Sequence, residues 1–320
     1  MKKWVSLLLP LVGLAIFAWI VREAGVARIL ETYRQIDPKR LAVFPLFTVF
    51  ILAIRGYRWW LLMRLVGIPY SLWRSTVVWA IGFFAASITP GKVGDAVRSL
   101  YVARETGRGF GESFLTVFMD RLMDLVAVLV FGVVTIFIFS SRYTDLPSFW
   151  LIVAASGALL ALVYFVLHRG LMRRFVAPLF RMLTPPKYRG QLSTEVAGFY
   201  DSLGAYARHW RVTVYAALLT LVFWAGVVVL AYTVARTLGI AVSFGYVALI
   251  MPIVTIVELI PVSVSGIGTR EATVIFFFAA VGIGSAQAVA FSVGYLIAGT
   301  YLTALAGFVA WLANPAKLGQ

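Results

Sequence analysis

Cysteine is absent from the 320 residues, which excludes disulfides and thiolate metal sites. Histidine is almost absent: His168 and His209 stand near the edges of one polar connection, so no metal site is expected. Charge is scarce as well. Asp, Glu, Lys and Arg make up 13% of the chain, about half the share of a soluble domain. Acidic charge is the scarcest, with 13 Asp and Glu against 28 Lys and Arg and a net charge of +15. No P-loop or dinucleotide fingerprint is present, because GKVGDA lacks the P-loop spacing and GIGTRE lacks a third glycine. No cofactor is therefore expected.

What is abundant is apolar. Hydrophobic residues reach 62% and the mean hydropathy is +0.93. Several apolar runs attain the ~20 residues needed to cross a bilayer. They do not alternate with a period of two, which excludes a transmembrane β-barrel. The pattern predicts an all-α polytopic membrane protein. In a soluble protein the net charge would suggest nucleic acid. Here most of the basic residues sit between apolar runs, where positive-inside bias accounts for them, so no nucleic-acid partner is expected.

Apolar runs fall near 4–21, 41–63, 73–89, 113–140, 149–168, 212–238, 244–263, 271–283 and 286–312. The first is longer than a signal-peptide core and no A-x-A-like cleavage site follows it, so 1–21 reads as an uncleaved transmembrane helix. The polar connection 169–211 carries Arg169, Arg173, Arg174, Arg181, Lys187, Arg189, Arg208 and Arg211 against Glu195 and Asp201, and should be cytoplasmic. Counting crossings outward from it puts Arg64, Arg98, Arg104, Arg108 and Lys317 on that side. Segment 73–97 must then enter and leave on one side, as a re-entrant hairpin turning at Thr89-Pro90-Gly91. Segment 244–283, broken at Pro261 and Gly266-Ile267-Gly268, must do the same from the other side. That is an inverted-topology repeat.

One integral membrane domain over 1–320 is expected, with about six full transmembrane helices and two re-entrant helical hairpins. Its parts are the helix 1–21, a first half 22–168 with hairpin 73–97, the basic connection 169–211, and a second half 212–312 with hairpin 244–283. Both termini would be cytoplasmic. Segment 21–40 resists the charge rule and reads as an interfacial amphipathic helix carrying Val26, Leu30, Tyr33 and Ile36. Gly299, Thr303 and Gly307 form a helix-packing stripe, within the chain or in a homodimer.

The two breaks resemble each other. SITPGKVGDA and PVSVSGIGTREA each place small hydroxyl residues, a glycine-rich break, a basic residue and then acid-Ala at a helix start. Irregular backbone survives in a membrane only where protein or water satisfies it. A helix N-terminus behind such a break suits a phosphate or carboxylate, and Lys92 and Arg270 would add full charge. The competing reading is two simple surface loops, which the same-side returns oppose. Gly91, Gly94, Gly266 and Gly268 would let backbone approach the ligand, with Arg98 beside them. In FMDRLMD, Asp120 and Asp124 share a helix face and Arg121 points elsewhere. Asp95, Asp120, Asp124, Glu258 and Glu271 all lie in or beside apolar segments, so they pair with cations or line a wet cavity. The Asp120–Arg121–Asp124 group could equally be a structural ion-pair cluster. Interfacial snorkelling explains Arg58 and Arg64, while Arg55, nearly three turns deeper than Arg64, is the candidate cavity cation.

Taken in order, R-x-x-R-W-W, T-P-G-K-V-G-D-A-V-R, D-R-L-M-D and P-V-S-V-S-G-I-G-T-R-E-A resemble the transmembrane, flippase-like domain of lysylphosphatidylglycerol synthases, over roughly 10–312. The resemblance implies an inner-membrane protein that moves lipids between leaflets, without the soluble aminoacyltransferase domain of full-length synthases. By motif it points to Arg55, Arg58, Pro90, Gly91, Lys92, Gly94, Asp95, Arg98, Asp120, Arg121, Asp124, Gly266, Gly268, Arg270 and Glu271. The expected function is translocation of an anionic or phosphate-containing lipid, with no catalytic residue. Two alternatives stay open: a non-transporting partner of a lipid- or glycan-modifying enzyme, and an integral-membrane head-group enzyme.

Overall fold

The computed structural model describes residues 3–34, 36, 38–143, 157, 161, 203–259 and 266–314. Most of runs 149–168 and 169–211, the stretch 260–265 and Lys317 lie outside the described residues. All regular structure among the described residues is helical, with no strand. Helices α1 (Lys3–Ala24), α2 (Val26–Arg34) and α3 (Pro38–Leu41) lead into α4 (Val43–Leu65) and α5 (Leu72–Ser87). A 3-10 segment, Pro90–Ala96, precedes α6 (Val97–Thr106) and the long α7 (Phe110–Tyr143). Then come α8 (Trp210–Thr237), α9 (Phe244–Leu259), α10 (Thr269–Ala279), α11 (Ser285–Tyr295) and, after a π-helical turn at Leu296–Tyr301, α12 (Leu302–Ala313). Three stretches are long and apolar enough to cross a bilayer: Lys39–Leu65, Trp210–Thr237 and Ser285–Ala313.

The first chain reversal is built locally. Ser71, extended, opens α5 by accepting the Arg74 backbone N–H at 3.1 Å. Past α5, the Thr89 hydroxyl donates to the Ala85 carbonyl and accepts the Gly94 N–H, both at 2.8 Å, folding the 3-10 segment back on its own helix. Contact is so close that a Cβ on Gly94 would lie 2.3 Å from the Ala85 oxygen. Likewise a Cβ on Gly82 would lie 2.3 Å from Arg98 Cγ. The return leg runs on through α6 to Thr106, where Gly107 at φ +69° ends the helix, so the hairpin spans 72–106 rather than 73–97. At its open end Arg74 grips Glu105 at 2.5 and 2.9 Å and reaches Asn314 at 2.6 Å.

The second reversal opens at the other end of the long helices. The Tyr246 hydroxyl of α9 donates to the Phe277 carbonyl of α10 at 2.5 Å, so the open ends of these two helices meet. At their closed ends a Cβ on Gly266 would sit 2.6 Å from Glu258 Cγ. Around the second open end the Tyr33 hydroxyl donates to the Ala290 carbonyl at 2.7 Å and Arg40 to the Arg236 carbonyl at 3.1 Å. α4 and α8 link this end to the Arg74 end, where Tyr206 donates to the Leu62 carbonyl and Arg108 to the Gly67 carbonyl.

Helices packing in lipid gain little from the hydrophobic effect, so small residues that allow close approach carry the packing. α12 lies on α5 in this way, and a Cβ on Gly307 would come 2.1 Å from the Ala80 oxygen. The stripe expected at Gly299, Thr303 and Gly307 thus has a partner inside the chain. The continuous run expected over 286–312 is interrupted by the π turn, whose N-cap is Tyr295. In α2 the inward residues are Ile29, 8% exposed, and Tyr33, whereas Val26 and Leu30 are more than half exposed.

Candidate functional site: an ion network behind a donor-rich cavity

α4, the 3-10 segment, α6 and α7 bring four arginines and three aspartates into one chain of ion pairs. Arg55 donates to both oxygens of Asp124, at 2.5 and 2.6 Å. Arg58 bonds Asp120 through Nη2 and, at 2.8 Å, through Nε, and also reaches Asp124 and Thr220. Arg98 joins Asp120 at 3.0 Å to Asp95 at 2.5 Å. Arg121 closes the chain by donating to Asp95 at 2.5 Å. Helical spacing explains the register: Arg55 and Arg58 are three apart on α4, and Asp120 and Asp124 four apart on α7. Trp59 walls the network, with its ring centroid 4.8 Å from the Arg98 guanidinium and its indole N–H on Thr116. Arg58 is 1% exposed, so it does not snorkel to an interface. Arg121 does not point away either. It faces the first hairpin because Asp95 sits there.

A second cluster holds the other reversal. Arg270 donates to Glu271 at 2.8 Å, to the Ser292 hydroxyl at 2.7 Å and to Glu258 at 3.4 Å. Glu271 also accepts from Ser292 at 2.7 Å and from the Gly268 N–H at 2.6 Å. This last bond occupies one of the free N–H groups at the start of α10 that sequence reasoning offered to an anion.

Between the two clusters lies a cavity of about 120 Å³, room for several waters. Arg55, Lys92, Arg121, Glu258 and Tyr295 supply its polar wall, and Trp79, Phe223 and Trp224 its aromatic wall. The Arg55 guanidinium lies 3.6 Å from the Phe223 ring centroid. Of the expected binding residues, Arg55 and Lys92 line this cavity. Arg98, Gly94, Gly266, Gly268 and Arg270 stand behind it, and Gly91 belongs to the 3-10 segment. Sequence reasoning missed Tyr295, Thr220 and Ser292, which are single hydroxyls in apolar runs and give no pattern to find.

Two features bear on what the cavity can hold. Arg55 Nε, Trp79 Nε1, Arg121 Nη2 and Trp224 Nε1 are buried donors with no hydrogen-bond partner among the described residues, and all four side chains line the cavity. Buried polar groups are nearly always paired, so four orphaned donors at one place call for acceptors. The charges also do not balance. Six cations (Arg55, Arg58, Lys92, Arg98, Arg121, Arg270) face five carboxylates (Asp95, Asp120, Asp124, Glu258, Glu271), leaving one positive charge. Lys92 is the cation without a carboxylate of its own. It sits at φ +57°, the sole positive-φ residue other than glycine among the described residues. Such a conformation is strained for a side-chain-bearing residue and persists where the surroundings over-determine it.

The sequence matches the family described as "Lysylphosphatidylglycerol synthase TM region" over residues 5–307. The chain belongs to that family. Among similar proteins is a "UPF0104 membrane protein" of Pyrococcus horikoshii, 23% identical, with 98% of each chain covered. Another, of Methanocaldococcus jannaschii, is 22% identical over 93% of this chain and 90% of its own. A third, of Methanothermobacter thermautotrophicus, is 24% identical over 90% of this chain and 87% of its own. No solved structure matches. The chain is thus a membrane protein of this family, and the described residues of its four sequence motifs contribute to the two charged clusters.

Proposed function

We propose that this family member translocates an anionic or phosphate-containing lipid between leaflets of the cytoplasmic membrane, without chemical conversion. In this reading α1, α4, α7, α8 and α11–α12 are among the segments that cross the bilayer, and the two chain reversals dip into it from opposite leaflets. Both termini face the cytoplasm. The observation that carries the reading is the cavity's chemistry: orphaned donors and one uncompensated cation between hairpins that open to opposite ends. Lys92 is exposed, lines the cavity and makes no ion pair among the described residues, so its amine can take a ligand of opposite sign. The head group would rest on Lys92 and Arg55 while the acyl chains stay in lipid. The two ion clusters hold the hairpins rigid around it. Arg98 and Arg270, each paired with two carboxylates, orient the site rather than touch the ligand.

The test is scrambling of fluorescent phosphatidylglycerol in proteoliposomes made with the purified chain. Wild type is expected to expose the lipid of both leaflets to a membrane-impermeant quencher, and Lys92→Ala to slow that exposure at least tenfold. Equal exposure with wild type, Lys92→Ala and protein-free vesicles would overturn the proposal and favour a non-transporting partner of a lipid-modifying enzyme.

A further inference from the structure

The five carboxylates are not equivalent. Asp120 and Asp124 are each clasped by two arginines, and Asp95 takes Arg98 and Arg121 on a single oxygen. Glu271 accepts three bonds of 2.6–2.8 Å. The side chains of Asp95, Asp120 and Glu271 are 6% exposed or less and that of Asp124 is 12% exposed. Glu258 differs in its bonding and its place. Its one hydrogen bond among the described residues is the 3.4 Å contact from Arg270, its side chain is 16% exposed, and it alone of the five lines the cavity. Protonating Asp95 or Asp124 would leave Arg121 or Arg55 without its carboxylate, whereas Glu258 shares its arginine with Glu271.

The groups facing Glu258 come from every hairpin element: Lys92 from the first reversal, Arg270 and Glu271 from α10, and Tyr295 from the end of α11. Arg55 and Arg121 complete the charged wall. Glu258 is thus the carboxylate that lines the cavity with Lys92, and any anionic ligand competes with Glu258 for the amine.

Resting on the translocase reading, we propose that Glu258 is a proton-coupling site: it takes one proton from water as the ligand's anionic group takes Lys92. The balance is simple. One O–H bond forms on the Glu258 carboxylate, and one anion enters. The network then carries the same net charge loaded as empty. Loading is electroneutral, which suits a step in a low-dielectric site. By linkage, ligand and proton favour each other's binding, so affinity rises as pH falls through the range where Glu258 in the empty protein is ionised.

Calorimetric titration of the purified full chain in detergent with dihexanoylphosphatidylglycerol tests this. The phosphodiester of this lipid stays singly charged between pH 5 and 8. Titrations in two buffers of different ionisation enthalpy count the protons. The expected result is uptake of about one proton per lipid and an affinity that weakens with rising pH, at most about tenfold per unit. In Glu258→Gln, uptake should vanish and affinity should become flat with pH. Lipid binding that is sensitive to Lys92→Ala but takes up no proton in wild type overturns the coupling and leaves the translocase reading standing. Proton uptake retained in Glu258→Gln overturns the assignment to Glu258. Failure of the lipid to bind at any pH overturns both proposals.

Discussion

Replacing Lys92 with glycine should pull stability and binding in opposite directions. The residue sits in the left-handed region at φ +57°, where a side chain costs roughly 1–2 kcal/mol that glycine does not incur. Glycine's extra freedom in the unfolded chain returns about 0.5–1 kcal/mol of that. Removing the amine also leaves five cations facing five carboxylates, so the deletion strands no buried charge. The net change in stability should lie between zero and about 1 kcal/mol in favour of the variant. Lys92→Ala loses the same amine but keeps the strained backbone, so it should be less stable than Lys92→Gly. Binding behaves differently. A hydrogen bond to a charged group contributes about 1.5–3 kcal/mol, so both variants should bind dihexanoylphosphatidylglycerol roughly 10- to 150-fold more weakly. Thermal unfolding in detergent and calorimetric titration read the two effects separately. A Lys92→Gly protein that melts below Lys92→Ala, or that binds within threefold of wild type, would refute the argument that the lysine is held in strain for its charge.

Arg58→Gln should destabilise by about 3–5 kcal/mol, because it leaves two buried aspartates, Asp120 and Asp124, with one arginine each and the network with one negative charge more, and Arg58→Lys should rescue little because one ammonium cannot reproduce the guanidinium's spread of contacts. Chemical unfolding of the three proteins side by side checks this. At the Arg74 end, burial by itself would raise the Glu105 carboxyl, but hydrogen bonds from Arg74 and Tyr70 prevail and hold it below the usual carboxylate range. A depressed folded pKa contributes stability above the unfolded value and loses it as pH falls through the folded one. Glu105→Gln should therefore melt below wild type at pH 7, with the gap closing on acidification below about pH 4, and a gap that stays constant with pH would contradict that ion pair's role.

Composition alone determined that this is a helical membrane protein. A chain with so little charge and such long apolar runs has no soluble way to satisfy its surface. Loop charge also suggested a fold-back at each of the two broken segments; the structure folds back at Thr89–Gly94 and sets Gly266 against Glu258. Lys92 stood out as a cation at a glycine-rich break beside an apolar run.

Pairing was not legible. Arg58 reads as interfacial from its neighbouring tryptophans, and only the approach of α7 shows that Asp120 and Asp124 claim it. Arg270 and Lys92 look alike in sequence, yet one is locked between Glu258 and Glu271 while the other faces open space. The physical reason is that helical periodicity assigns a residue to a face, whereas a charge's partner is set by distances between helices far apart in the chain. Those distances depend on where glycines let backbones touch. Which cation is left without a partner, and hence what the cavity can bind, was decided by tertiary structure alone.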